Sequence, residues 1–126
     1  MDAVLVVDDD PAAREMLARY LEADGFRVVT AAGGEEALEV ARRIRPRAVT
    51  LDVVMPGMDG WSVLAAFKSD PELAAIPVVL LTIVDDPDRG YALGASHFLT
   101  KPVDRARLRS AIASYPLPAP RLSRDE

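Results

Sequence analysis

The sequence predicts a single α/β domain in which a doubly wound parallel sheet carries helices on both faces. Short runs of β-branched and aliphatic residues alternate with segments whose apolar residues recur at helical spacing, a pattern typical of sheets built from βαβ units. The strand runs are almost continuously apolar, so both faces of the sheet are expected to be covered. The length of 126 residues suits one ordinary domain with a real core.

Five strands are predicted, in strict alternation with five helices. They are expected at Ala3–Val7, Arg27–Ala31, Ala48–Leu51, Val78–Thr82 and His97–Thr100. Each run is short and dominated by residues that favour extended backbone. Their alternation with helical patterns predicts crossover connections, and therefore parallel strands.

The helices are predicted from their end signals and their apolar spacing. Asp10 is a candidate N-cap, Pro11 suits a first helical turn, and Asp24-Gly25 ends the first helix. The other helices are expected at Glu35–Ile44, Trp61–Lys68, about Pro87–Leu93, and Arg105–Ser114 with Asp104 as its N-cap. Residues 1–115 would form one domain, and the Pro-rich residues 116–126 a flexible tail or the stub of a linker.

The composition excludes several classes of function. The chain has no cysteine, which rules out disulfides, thiolate metal sites and cysteine nucleophiles. Its net charge of −5 argues against direct binding of nucleic acid through the phosphates. No apolar stretch is long enough to span a membrane and no signal-peptide pattern is present, so a cytoplasmic location is expected.

Acidic, hydroxyl and lysine side chains lie at or just after the ends of several predicted strands. Asp8 and Asp9 follow the first strand, Asp52 follows the third, Thr82 ends the fourth and Lys101 follows the fifth. The carboxyl ends of parallel strands lie at one edge of a sheet, where open α/β sheets bind ligands. Several carboxylates gathered there would repel one another unless they hold a cation.

The residue types at this edge indicate phosphoryl chemistry. Carboxylates without histidine or cysteine suit Mg²⁺, or Mn²⁺, rather than zinc. A lysine and a hydroxyl beside such an ion are suited to hold a phosphoryl group, and a central carboxylate could act as the nucleophile that forms an acyl phosphate. Asp52 is the candidate for that nucleophile.

The chain resembles the receiver domains of two-component response regulators over about residues 3–113, in a variant similar to the receivers of hybrid histidine kinases. The segments that carry the resemblance are Val6-Val7-Asp8-Asp9, residues 51–60, Leu81-Thr82 and residues 94–102. The resemblance implies a flavodoxin-like sheet with strand order 2-1-3-4-5. It also implies that Asp52 accepts a phosphoryl group from a phosphohistidine on a histidine kinase or a phosphotransfer protein.

The resemblance implies a role for each site residue. Asp8 and Asp9 would bind Mg²⁺, Asp9 the more directly, and the Asp52 carboxylate and the Val54 carbonyl would complete the protein ligands. Lys101 and Thr82 would bind phosphoryl oxygens, Thr82 and Phe98 would switch position, and the Lys101–Pro102 bond is expected to be cis. The switch would rearrange the face formed by the fourth helix, fifth strand and fifth helix, which is also a possible homodimer surface.

Three apolar residues around the site depart from the common receiver pattern. Ile83, after the threonine, should narrow access to the phosphoryl group, and Val54 and Val84 cannot orient an attacking water. Slow hydrolysis of the phosphorylated form is therefore expected. The chain would catalyse only its own phosphorylation and dephosphorylation.

Two other functions are weighed against a phosphoacceptor. A small phosphatase of the haloacid-dehalogenase type also uses an aspartyl nucleophile, but Val54 stands where those enzymes carry a second acid. A phosphate-independent adaptor is the other alternative. A phosphoacceptor would pass its signal to an unknown output partner. The chain would be either a free-standing receiver or one part of a larger hybrid kinase or regulator.

Overall fold

The strands form one parallel sheet in which the first strand lies near the centre. The computed structural model describes residues 3–114. The strands are β1 (Ala3–Val7), β2 (Arg27–Ala31), β3 (Ala48–Leu51), β4 (Val78–Thr82) and β5 (His97–Thr100), in the order β2-β1-β3-β4-β5. The predicted fold class and strand order are confirmed, and each strand has the bounds that the sequence predicted.

The helices begin and end within about one residue of the predicted positions. They are α1 (Pro11–Ala23), α2 (Gly34–Ile44), α3 (Gly60–Ser69), α4 (Pro87–Ala92) and α5 (Arg105–Ala113). Asp10 and Asp104 are the predicted N-caps, and each accepts a hydrogen bond from a backbone N–H of the first turn. Both α2 and α3 begin on a glycine that the sequence prediction left outside the helix. The predicted tail, residues 116–126, lies outside the described residues.

The sheet separates two apolar layers. Alternate residues of the central strands point to opposite faces, so Leu5 and Val7 pack with α2 and α3, whereas Val4 and Val6 pack with α1 and α5. The covering residues include Phe67 of α3 and Leu108 of α5, both fully buried. With both faces covered by helices, the carboxyl ends of the strands remain as the edge where polar groups can gather.

Gly90 brings the short helix α4 close to the sheet. A Cβ atom at this position would lie 2.8 Å from Cδ1 of Leu80 and 3.1 Å from Cδ2 of Phe98. Both distances are shorter than ordinary van der Waals contact, so a larger residue would push α4 away from β4 and β5. None of the helices within residues 3–114 is long and apolar enough to cross a membrane.

Candidate functional site

One lysine bridges two carboxylates at the carboxyl edge of the sheet. Nζ of Lys101 lies 2.9 Å from Oδ2 of Asp8 and 2.8 Å from Oδ2 of Asp52. Asp8 and Asp52 are only 2% and 6% exposed. Because buried charge is costly unless it is paired, the contacts with the ammonium group offset the cost of burying these two carboxylates.

Asp8 is held in place through its backbone as well as its side chain. Its N–H donates to the carbonyl of Ala31 on β2 at 3.2 Å, which continues the β1–β2 ladder beyond the strands. Its Oδ1 accepts from the N–H of Asp10 at 2.9 Å, and its carbonyl accepts from Nη1 of Arg14 at 2.8 Å. The side chain of Asp8 is therefore aimed at Lys101 by a fixed turn between β1 and α1.

Asp52 continues the β1–β3 ladder in the same way. Its N–H donates to the carbonyl of Val7 at 3.1 Å, and its Oδ1 accepts from the N–H of Val54 at 3.0 Å. Gly60 packs against this segment so closely that a Cβ there would overlap the Asp52 carbonyl oxygen and the Cα of Val53. The loop that follows Asp52 is therefore packed directly against Gly60, the first residue of α3.

Thr82 and Lys101 lie at the ends of neighbouring strands. The N–H of Lys101 donates to the carbonyl of Thr82 at 2.9 Å, and Oγ1 of Thr82 accepts from the N–H of Val84 at 3.2 Å. Thr82 is fully buried in this arrangement. The peptide bond between Lys101 and Pro102 is cis.

The remaining predicted site residues lie near the contact of Lys101 with Asp8 and Asp52. Asp9 has an exposed side chain, beside the buried Asp8. Val54 is 49% exposed and Ile83 68% exposed, so both present apolar surface to solvent next to the site. Val84 and Phe98 are partly buried and pack against the core on the α2 and α3 side of the sheet.

The electrostatic environment stabilises the charged form of Lys101. Partial burial alone lowers the pKa of this lysine, but the hydrogen bonds and negative charges of Asp52 and Asp8 outweigh the burial. The net result is a pKa raised above the ordinary value of 10.5. Lys101 is therefore a permanent cation between the two carboxylates at physiological pH.

The donor set at this edge fits a hard divalent cation. Asp8 and Asp52 share a single ammonium group, and the exposed carboxylate of Asp9 stands next to them. Within residues 3–114, no three acidic, histidine or cysteine side chains are grouped closely enough to form a complete metal cage. Mg²⁺ requires no such cage, since it is commonly held by one or two carboxylates and several waters.

Two contacts near the site were not anticipated from the sequence. One is the bond from Arg14 to the carbonyl of Asp8. The other is a cation–π contact in which the guanidinium of Arg89 lies 4.4 Å from the centre of the Trp61 ring and joins α4 to α3. Arg14 and Asp8 are six residues apart but lie on either side of a turn, and Arg89 and Trp61 lie on different helices, so no helical or strand pattern indicated these contacts.

The family model of the response regulator receiver domain matches residues 4–113, which is nearly the whole chain. The chain belongs to the response regulator receiver family. Receiver domains are modules of two-component signalling, and the predicted family is thereby confirmed. The match covers all five helices and, apart from Ala3 at the start of β1, all five strands.

Curated relatives include bacterial response regulators of very different length. Response regulator PleD of Caulobacter vibrioides is 45% identical over an alignment of 114 positions, with 88% of this receiver chain but 25% of PleD covered. The receiver thus spans a quarter of that relative. Protein PilH of Pseudomonas aeruginosa is 37% identical over 115 residues, with 89% of this chain and 95% of PilH covered.

A solved structure with the same fold contains BeF₃ and Mg²⁺. It is the CheX–CheY–BeF₃–Mg²⁺ complex from Borrelia burgdorferi, matched with a TM-score of 0.83 and 29% identity. The match covers 90% of this receiver chain and 87% of the other. The shared fold places the carboxyl edge of the sheet in a comparable position in both proteins.

Proposed function

We propose that this receiver accepts a phosphoryl group on Asp52 from a phosphohistidine of a partner protein. The observation that carries the proposal is the contact of Lys101 with both Asp8 and Asp52 at 2.9 and 2.8 Å. Asp52 is the carboxylate that follows the central strand β3, which lies between β1 and β4 in the sheet. A fixed cation at its oxygen is suited to bind the negative oxygens of a transferred phosphoryl group.

The transfer needs a nucleophile and charge stabilisation, and the chain supplies both. A carboxylate oxygen of Asp52 attacks the phosphorus, the P–N bond to the imidazole breaks, and the bonding electrons stay on the ring nitrogen of the donor. Lys101 exchanges its carboxylate contacts for contacts with the phosphoryl oxygens. The Thr82 hydroxyl leaves the N–H of Val84 and donates to the phosphoryl group. The product is an acyl phosphate.

Mg²⁺ is the proposed cofactor, with Mn²⁺ as a possible substitute. The carboxylates of Asp9 and Asp52 and the carbonyl of Val54 would hold the ion most directly, with Asp8 acting less directly beside Asp9. When bound, it would offset the charge of the carboxylates and of the incoming phosphoryl group. The complex of the Borrelia relative contains Mg²⁺ together with BeF₃, which supports this assignment by similarity.

Phosphorylation is proposed to act as a two-state switch on the α4–β5–α5 face. Movement of Thr82 toward the phosphoryl group vacates space at the end of β4, and Phe98 on the neighbouring strand rotates toward it. Phe98 is only partly buried and contacts the glycine of α4, so its rotation would change how α4 packs. A shift between two packings is a common basis for receiver-type signalling.

The proposed partners follow from this chemistry. A histidine kinase or a histidine phosphotransfer protein donates the group, and an output partner reads the α4–β5–α5 face, which could also form a homodimer. Direct contact with nucleic acid or membrane is not part of the proposal, and the proposed location is the cytoplasm. The chain catalyses only its own phosphorylation and dephosphorylation, as a free-standing domain or as part of a larger regulator.

Intact-protein mass spectrometry tests the proposal directly. The chain is incubated with acetyl phosphate with and without Mg²⁺, beside Asp52→Asn and the matched control Asp85→Asn, which changes an exposed loop acid. Gain of one phosphoryl group that requires Mg²⁺ and Asp52 but not Asp85 supports a phosphoacceptor. A chain that stays unmodified with acetyl phosphate and with a phosphorylated histidine kinase would instead be a phosphate-independent adaptor. Release of phosphate from small phosphomonoesters would indicate a phosphatase.

A further inference from the structure

Arg14 reaches from α1 to the acidic turn without contacting a carboxylate of the site. Its Nη1 donates to the backbone carbonyl of Asp8 at 2.8 Å, and its side chain is partly buried. Arg14 is the fourth residue of α1, whereas Asp8 follows the last residue of β1. The contact therefore ties the helix back to the end of the strand.

The helix itself does not explain an arginine at this position. The amino-terminal end of a helix carries partial positive charge, which disfavours a cation there, and α1 has no acidic residue in its first turn. Arg19 of the same helix has an ordinary surface role, since it pairs with Glu15 at 3.1 Å with both side chains exposed. Arg14 instead gains its partner from the turn that carries Asp8 and Asp9.

All four hydrogen-bonding groups of Asp8 have protein partners, and Arg14 holds the carbonyl. That carbonyl belongs to the peptide group that joins Asp8 to Asp9. The peptide group is planar, so fixing its carbonyl also fixes the N–H and the Cα of Asp9. Arg14 thereby helps to fix the position of the Asp9 Cα, from which the exposed side chain departs.

We propose that Arg14 is a positioning residue that prepares the Asp8–Asp9 peptide for Mg²⁺. This inference rests on the function proposed above. Because Arg14 binds a backbone carbonyl, it holds the turn without occupying the carboxylate oxygens that a metal needs. A turn ordered in advance lowers the entropic cost of binding the ion.

Removing Arg14 has two physical effects of opposite sign on Mg²⁺ affinity. Loss of a positive charge beside the Asp8–Asp9 turn strengthens the attraction of the site for a cation. Loss of the bond to the carbonyl frees the peptide and weakens binding. A positioning role is therefore recognised by weaker Mg²⁺ binding in a variant whose net charge has become more negative.

The test measures the Mg²⁺ dissociation constant by isothermal titration calorimetry at constant ionic strength. Arg14→Met keeps the unbranched stem and removes the charge and the donors, Arg14→Lys keeps a charge and a donor, and Arg19→Met is the matched control on the same helix. We expect Arg14→Met to raise the dissociation constant about tenfold, as is typical for groups that orient metal ligands, with Arg14→Lys in between. Arg19→Met should match the wild type.

The outcomes separate this inference from the proposed function. Tighter binding in Arg14→Met would mean that only its charge matters, and unchanged binding with a lower unfolding temperature would mean a purely structural role; each result overturns the inference. If Arg14→Met does not fold, a dissociation constant in Arg14→Lys equal to that of the wild type overturns it. A wild-type chain that binds no Mg²⁺ and accepts no phosphoryl group overturns the proposed function as well.

Discussion

The backbone N–H of Lys101 donates to the carbonyl of Thr82 at 2.9 Å, one step beyond the last in-register pair of β4 and β5. The ladder between the two strands thus extends into the site. The separation of the two residues proposed to bind phosphoryl oxygens is set by the backbone rather than by flexible side chains. A backbone shift of either residue would break this hydrogen bond.

The contact of Lys101 with Asp8 and Asp52 should make stability fall at alkaline pH. Because the folded-state pKa of Lys101 is raised above 10.5, the ion pairs contribute in full below that pH and are lost as the pH rises through the folded-state value. Unfolding temperatures measured by circular dichroism between about pH 8 and about pH 12 should therefore fall more steeply in the wild type than in Lys101→Met.

The comparison of the two proteins isolates Lys101 from Lys68, the one other lysine of the chain. Burial lowers the pKa of Lys68, so its titration acts in the opposite sense, but Lys68 is present in both proteins. Parallel curves for wild type and Lys101→Met would contradict the prediction.

Replacement of Thr50 by valine should stabilise the domain. Thr50 lies in β3 and is 1% exposed, and its hydroxyl has no hydrogen-bond partner among residues 3–114. A buried, unpaired hydroxyl is costly, so Thr50→Val should raise the free energy of unfolding by about 1 kcal/mol, or the unfolding temperature by roughly 4 °C. Thr30→Val, at an exposed position of β2, is the control. Destabilisation by Thr50→Val would show that the hydroxyl has a partner.

Loss of the Arg89 guanidinium should be visible in the fluorescence of Trp61. The two groups lie 4.4 Å apart, and the contact joins α4 to α3. Arg89→Gln should shift the Trp61 emission and lower the free energy of unfolding by about 0.5–1 kcal/mol in chemical denaturation. Arg43→Gln, at an exposed position of α2, should leave the emission unchanged. Identical spectra for Arg89→Gln and wild type would argue against the contact.

The phosphorylated chain is expected to hydrolyse slowly. Val54 and Val84 flank the site and cannot orient an attacking water, and Ile83 adds a bulky apolar group beside them. Val54→Asn should shorten the lifetime of the acyl phosphate several-fold, because an amide can hold a water by hydrogen bonds. Val54→Ala is the control for a change of size alone. The measurement follows the intact mass of the phosphorylated chain over time. Loss of the phosphoryl group from the wild type within seconds would refute the expectation.

The strands were the most predictable part of the fold. Buried parallel strands are short apolar runs with clear limits, and all five have the predicted bounds. The starts of α2 and α3 were less clear, because Gly34 and Gly60 carry no helix-forming signal and are tolerated there for their packing. Gly34 approaches Met58 and Val63, and Gly60 approaches the Asp52 segment, contacts that exist only in the folded chain.

The site was predictable only to the extent that topology dictates it. Parallel strands bring their carboxyl ends to one edge, and the structure places Asp8, Asp52 and Lys101 in contact there. The roles in phosphoryl transfer of these three residues, and of Asp9, Thr82 and Phe98, remain predictions. Arg14 was missed because its contact depends on how α1 lies against the end of β1, and a lone arginine in a helical pattern indicates no such contact.

The two-layer core has a consequence for the order in which the chain can fold during synthesis. The layer that contains Val4 and Val6 of β1 is closed by Leu108 and Ile112 of α5, near the other end of the described residues. The first strand therefore stays without its full cover until α5 has left the ribosome. Until then the nascent chain exposes apolar strand surface, the kind of surface that makes partly folded chains prone to aggregate.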